Sequence, residues 1–178
     1  LAGPVLAAAV IWPRSVRLPE LDDSKKCSPS RRQELRKKVE SLADAWAVGR
    51  VEPAEIDTMN ILQATFTAMH RALDQLEIRT RFLLVDGNRF KAYGGTPHHC
   101  AIGGDGFYSS VAAASILAKT HRDAIMQALH QDFPQYQWWQ NKGYPTRSHR
   151  EALASIGPCK WHRQSFQLVS SQKLIPFK

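Results

Sequence analysis

The chain has 178 residues, the length of one ordinary domain, and its hydrophobic fraction of 43% is enough to build a full core, which excludes a disordered chain. It carries 24 Lys and Arg against 16 Asp and Glu, a net charge of +8, so its surface suits phosphate backbones or acidic membranes; a basic protein with no polyanionic partner also fits that balance alone. The three cysteines, Cys27, Cys100 and Cys159, show no Cys-x-x-Cys spacing, which argues against a disulfide framework and for a reduced, intracellular chain.

Leu1 to Trp12 is apolar, but it has no basic leader, contains Pro4 and is too short to span a membrane. Its run Val5 to Trp12, closed by Pro13, is expected to be a strand buried on both faces. The protein is therefore expected to be cytoplasmic, with no membrane contact. Leu1 is not a methionine, so residues upstream are expected.

Leu18 to Ser30 reads as a loop. Ser28 and Pro29 then start a helix that runs through Arg31 to Leu42, with Arg31, Arg32, Arg36, Lys37 and Lys38 on a basic, solvated face. Ala45 to Val51 reads as a second strand. Pro53 opens a helical region, and Asn60 caps its main segment. Leu62, Phe66, Met69, Leu73 and Leu76 recur at helical spacing and are expected to form the core stripe.

Phe82 to Val85 has no polar alternation and reads as a central strand. Arg89 to His99 reads as a loop, and Cys100 to Ile102 as a short strand. Ser110 is expected to cap a helix reaching about Gln131. Phe133 to Trp139 is aromatic and irregular, and His149 to Ile156 is a short helix stopped by Gly157 and Pro158. No repeat or linker interrupts the chain. The order implies one α/β domain over residues 1–178, with a mixed central sheet flanked by helices.

The residues with chemistry in them begin with Asp86 and Asp105. Each is followed by glycine, and Asp-Gly is a common turn pair. Both also follow apolar strands, and sites in open α/β sheets gather outside the carboxyl ends of strands. Two carboxylates meeting there repel unless a cation lies between them. Mg²⁺ suits such a site, because it binds hard oxygens and keeps waters that phosphate oxygens can replace. Asp123 is a third acidic candidate, with a helix ion pair to Lys119 as its equally weighted alternative.

Asn141 to Thr146 reads NKGYPT. Gly143 and Pro145 fix the backbone around Tyr144, whose ring can stack on a sugar or base, or sit in the core at a turn. His162, Arg163 and Ser165 supply donors for phosphate oxygens. Cys159 with His162, and His98 to Cys100, lack a second ligand pair at zinc spacing, so a zinc site is not expected.

Several ordered segments together carry a resemblance: LAGPVLAAAV from Leu1, LDDSKKCS from Leu21, EIDTMNILQAT from Glu55, LVDGN from Leu84, Gly104 to Asp123, NKGYPT from Asn141, and HREAL followed by HRQSF. Over essentially its whole length the chain resembles bacterial ribonuclease HII. The resemblance implies a ribonuclease H-like fold. It implies an endonuclease that cuts 5′ to ribonucleotides, in RNA–DNA hybrids or embedded in duplex DNA, leaving 3′-hydroxyl and 5′-phosphate ends.

By the same resemblance Asp86 and Asp105 are catalytic and bind Mg²⁺ or Mn²⁺, with two ions during catalysis. Tyr144 packs on the sugar at the RNA–DNA junction. Lys25, Lys26, Lys142, Thr146 and Arg163 complete the substrate-binding set, with Asp123 and Asn88 in support. A monomer is expected.

The resemblance also carries departures. The family pattern has an Asp-Glu-Ala-Gly-Arg-Gly-like segment just before the Leu-Ala-Gly-Pro match, which supplies two more carboxylates and a reader of the ribose 2′-hydroxyl. This sequence starts after it, so the first strand is expected to be largely missing and the chain as written to cut poorly. Cys27 stands where many relatives have leucine, Gly103 where some have lysine, and Asn141 where several have histidine. Two rival readings are a non-catalytic binder of hybrids on this fold and a different nuclease or phosphotransferase.

Overall fold

The structure is a computed structural model that describes residues 1–21 and 27–168. Val5–Ile11 forms β1 and Ala45–Val51 forms β2, paired antiparallel from Val5 opposite Val51 to Ile11 opposite Ala45. Leu83–Asp86 forms β3 and His98–Ala101 forms β4, paired in parallel, with Asp86 opposite Ala101. The helices are α1 (Pro29–Leu42), α2 (Pro53–Met59), α3 (Ile61–Asp74), α4 (Ser109–Asp132), α5 (Trp138–Asn141) and α6 (Arg147–Ile156). This is an α/β fold with antiparallel and parallel strands flanked by helices.

Local chemistry sets most boundaries. Ser28 Oγ accepts from the Arg31 N–H at 3.2 Å, and Pro29 occupies the first turn of α1. Asn60 Oδ1 accepts from the N–H groups of Leu62 and Gln63 at the start of α3. Thr146 Oγ1 accepts from the His149 N–H, so α6 begins two residues before the expected His149. Ser110 is not a cap: α4 starts at Ser109 after Tyr108, with no side-chain cap bond.

Three expectations about packing fail for physical reasons. The stripe Leu62, Phe66, Met69, Leu73, Leu76 is not the core face of α3. Only Phe66 of the five is buried, and Leu62 is exposed. The buried row is Ala64, Ala68 and Ala72, because Gly49 on β2 lets α3 lie directly on the strand backbone. The long side chains Met69, Leu73 and Leu76 turn to a cavity instead.

Likewise, β1 is not buried on both faces, since Ala7 is its sole buried residue. β3 is not a central strand of a continuous sheet: Leu83 and Val85 are buried, Leu84 and Asp86 exposed, and it bonds only to β4. Among the described residues the four strands form two separate ladders, and β1 and β3 line one cavity of about 920 Å³ between them.

The core sits on α4. Ala112, Ala113, Ile116 and Leu117 pack with Leu21, Leu35 and Val39. Further along, Met126 and Leu129 pack with Ala2, Tyr136, Trp138 and Leu153. A third cluster joins Ala7, Val51, Ile56, Ala64 and Ala68. Among the described residues no helix is long and apolar enough to cross a membrane. The basic face of α1 is largely paired: Arg31 with Glu34 at 2.7 Å, Arg36 with Glu40 at 2.6 Å and Lys38 with Glu20 at 2.8 Å.

Candidate active site

Asp86 is the last residue of β3, and its in-register partner Ala101 is the last residue of β4. From Ala101 the chain makes one tight turn, Gly104–Gly106, that carries Asp105. The Gly104 N–H donates back to Asp86 Oδ1 at 3.1 Å. That bond ties the carboxylate at the end of β3 to the residue before Asp105, at the carboxyl ends of two parallel strands. Asp105 is buried, at 5% exposure, while Asp86 is exposed and lines the cavity. Among the described residues no cluster of three or more His, Cys, Asp or Glu gathers to hold a metal.

Lys119 and Arg122 of α4 line the same cavity as Asp86. Both stand over the Tyr144 ring, Lys119 Nζ at 5.7 Å and the Arg122 guanidinium carbon at 5.2 Å from its centroid. Arg122 also donates to the carbonyls of Pro4 at 3.3 Å and Ala2 at 3.2 Å. Burial lowers its pKa below the usual guanidinium value. Tyr144 is 53% exposed although its neighbours Gly143 and Asn141 are buried. Its ring is thus exposed, with both cations close to its centroid.

The NKGYPT turn is locked from beneath. Asn141 Nδ2 donates to the Tyr136 carbonyl at 2.7 Å, and Asn141 Oδ1 accepts from the Gly143 N–H at 2.8 Å. Gly143 has φ +79°, and a Cβ there would sit 2.5 Å from the Ala2 carbonyl oxygen, so only glycine fits. The Ala2 N–H donates to the Gly143 carbonyl at 3.2 Å, and the Gly3 N–H to that of Trp161 at 2.8 Å.

The Ribonuclease HII family model matches residues 1–169. The chain belongs to this family. It is 55% identical to a ribonuclease HII of Bacteroides fragilis over 177 residues, covering 99% of this chain and 88% of that one. It is 53% identical to a ribonuclease HII of Bacteroides thetaiotaomicron, covering 98% and 87%. The ribonuclease H2 crystal structure from Pyrococcus horikoshii superposes with a TM-score of 0.78 at 25% identity, covering 94% of this chain and 88% of that one. The Archaeoglobus fulgidus ribonuclease HII, solved in complex with PCNA, shares the fold with a TM-score of 0.77 at 24% identity, covering 98% and 92%.

As a ribonuclease HII, the protein is a hydrolase, an endoribonuclease of the ribonuclease H type. A non-catalytic binder is not favoured by this kinship. Within the ribonuclease HII frame the expected site residues separate. Asp86 and Tyr144 are exposed, whereas Asp105 is buried. Asn88 is exposed beyond Asp86, and Lys142 is half-buried beside Gly143. Lys25 and Lys26 lie outside the described residues.

Two expectations need correction. Arg163 does not present itself to phosphate: it is 8% exposed and donates to the carbonyls of Gly3 at 3.0 Å and Pro4 at 3.4 Å. Burial, then Arg122 nearby, push its pKa down to about 10, which leaves it cationic at neutral pH. Of its neighbours, His162 is buried, while Ser165 is exposed and its Oγ donates to Asp57 at 2.6 Å. Thr146 is exposed, and its Oγ1 accepts the α6 cap bond from the His149 N–H. Asp123 takes the ion-pair alternative, with Lys119 at 3.0 Å and Arg32 at 3.9 Å.

Sequence reasoning named Lys119 only as a partner for Asp123 and passed over Arg122, His149 and Asp57. The helical spacing of Lys119 and Arg122, three apart and therefore on one face, was the signal available.

Proposed function

We propose that Asp86 and Asp105 form the catalytic carboxylate pair and that Tyr144 lies on the sugar of the RNA–DNA junction. The substrate is an RNA–DNA hybrid, or duplex DNA holding a ribonucleotide. The product ends are 3′-hydroxyl and 5′-phosphate. The observation that supports this reading is the Gly104 N–H bond to Asp86, which joins the end of β3 to the turn that carries Asp105, in a chain of net charge +8.

Ribonucleases HII are metal-dependent as a family. Two hard carboxylates suit Mg²⁺ or Mn²⁺, which fill their remaining positions with water and phosphate oxygens. Such an ion supplies an activated water and charge for the leaving oxygen. Two ions during catalysis would be held in part by Asp86 and Asp105.

The protein's own residues do the rest. The Gly104 N–H holds Asp86 in one orientation. Lys119 and Arg122 bring positive charge to the cavity wall beside Asp86 and stand over the Tyr144 ring. Tyr144, clamped at its backbone, offers a flat face for the sugar, and Lys142 beside it holds a backbone phosphate. The test is incision of a duplex with one embedded ribonucleotide by the full-length protein, with and without Mg²⁺ or Mn²⁺. Asp86→Asn and Asp105→Asn should bind the duplex and fail to cut it; wild-type cutting by either would overturn the assignment.

A further inference from the structure

His149 and His162 are the most deeply buried titratable side chains near the substrate turn, at 0% and 1% exposure, and the hydrolysis described above uses neither. They meet Nε2 to Nε2 at 3.1 Å. Their partners decide which nitrogen holds each proton. The Cys159 backbone N–H can only donate, and it donates to His162 Nδ1 at 3.0 Å. A neutral His162 therefore carries its proton on Nε2, facing His149. The Trp138 indole N–H, also a donor only, points at His149 Nε2 from 3.2 Å. A neutral His149 therefore carries its proton on Nδ1. That nitrogen lies 2.9 Å from the Tyr144 carbonyl, which can only accept.

The direction runs from the Cys159 N–H to His162, from His162 to His149 and from His149 to the Tyr144 carbonyl, with the Trp138 and His162 N–H groups sharing the one lone pair of His149 Nε2. Burial lowers the pKa of His149, and burial followed by the neighbouring His149 takes that of His162 to about 4, so both rings are neutral near pH 7. The same Tyr144 carbonyl accepts from the Thr146 N–H at 2.8 Å, and the Tyr144 N–H donates to the Asn141 carbonyl at 2.8 Å. The backbone of Tyr144 is thus held at both ends while its ring stays exposed.

We propose that His149 and His162 act as one positioning unit, a directional pair of neutral imidazoles that sets the Tyr144 carbonyl and thereby the placement of its ring on the nucleic acid. The pair rests on the reading of Tyr144 as a substrate contact. Neither histidine touches substrate. The chemistry favours a pair of rings here because an imidazole both accepts and donates along one line, so it passes on a fixed direction that an apolar side chain of the same volume does not.

The test has two arms, both on the full-length protein. In the first, ¹⁵N-resolved imidazole spectra between pH 6 and 8 should show His149 as the Nδ1–H tautomer and His162 as the Nε2–H tautomer. A charged ring or a reversed tautomer at either position overturns the proposal. The second arm measures kcat and KM for a duplex with one ribonucleotide. His149→Asn keeps an amide donor near the Tyr144 carbonyl and should stay within about threefold of wild type, whereas folded His149→Leu should lose about tenfold or more in kcat/KM. Tyr144→Ala should then cost little further in the His149→Leu background, because the two changes remove the same interaction.

If Tyr144→Ala alone cuts as well as wild type, the reading of Tyr144 fails and takes the positioning role with it. If Tyr144→Ala is impaired but folded His149→Leu is not, or the two losses add in full, only the positioning role fails. Should His149→Leu not fold, the wild-type tautomers decide.

Discussion

A Cβ placed on Gly49 would lie 1.9 Å from the carbonyl oxygen of Ala68 and 2.5 Å from the amide nitrogen of Ala72. Both are backbone atoms of α3, so no side-chain rotation relieves the clash. Gly49→Ala therefore has to push α3 off β2 and open the cluster of Ala7, Val51, Ile56, Ala64 and Ala68. The expected loss is about 3 kcal/mol, at the upper end of overpacking effects, read as a lower denaturant midpoint. Unchanged stability would mean that α3 does not lie on β2 as described.

The carboxylate pair predicts an asymmetry. Asp86→Ala removes the acceptor of the Gly104 N–H as well as a charge, while Asp86→Asn keeps an acceptor oxygen. Both should abolish incision. Asp86→Ala should in addition unfold more easily, by about 1 kcal/mol, the usual value of one hydrogen bond. Thermal melts of the two variants check this, and equal melting points would argue that the Gly104 bond does not help hold the turn.

His162 links stability to acid. Its folded pKa of about 4 lies below the ordinary 6.5, with burial the leading cause and His149 the next. Between those values the unfolded chain takes up a proton that the folded chain refuses. The contribution is complete above pH 6.5 and is lost as pH falls to about 4, by at most about 3 kcal/mol. The groups facing this pair include Arg150, Tyr136 and Cys159. Denaturation at a series of pH values should show a steeper acid slope for wild type than for folded His162→Gln, and parallel slopes would contradict the buried neutral ring.

Charge at the substrate face predicts a salt effect. Lys142 is half-buried beside Gly143 and is proposed to hold a backbone phosphate. Lys142→Ala should reduce the slope of log affinity against log salt by about 1 and weaken every duplex alike. Arg163→Ala should leave that slope unchanged, because Arg163 is committed to the Gly3 and Pro4 carbonyls. A slope change with Arg163→Ala instead would restore it to the phosphate contacts.

Much of the secondary structure was legible from local chemistry. Ser28 with Pro29, Asn60 before α3 and Gly157 after α6 act within one turn of chain, where side chain and backbone are held together by covalent geometry. The family and Asp86, Asp105 and Tyr144 were legible as ordered motifs. The core face of α3 was not. Spacing finds apolar stripes, but the buried row is alanine because a glycine on another element lets the backbones touch.

By itself the sequence determined much of the strand and helix order, the basic charge and the family. Only the tertiary structure decided which cations are available. Arg163 is consumed by the carbonyls of Gly3 and Pro4, about 160 residues away, while Lys119 and Arg122 face Tyr144 from another helix. Only the tertiary structure, too, brought His149 against His162 and gave each ring its tautomer. The reason is one of range: capping and turn preferences act over a few residues, whereas burial and hydrogen-bond partners depend on segments that meet only after the chain has folded.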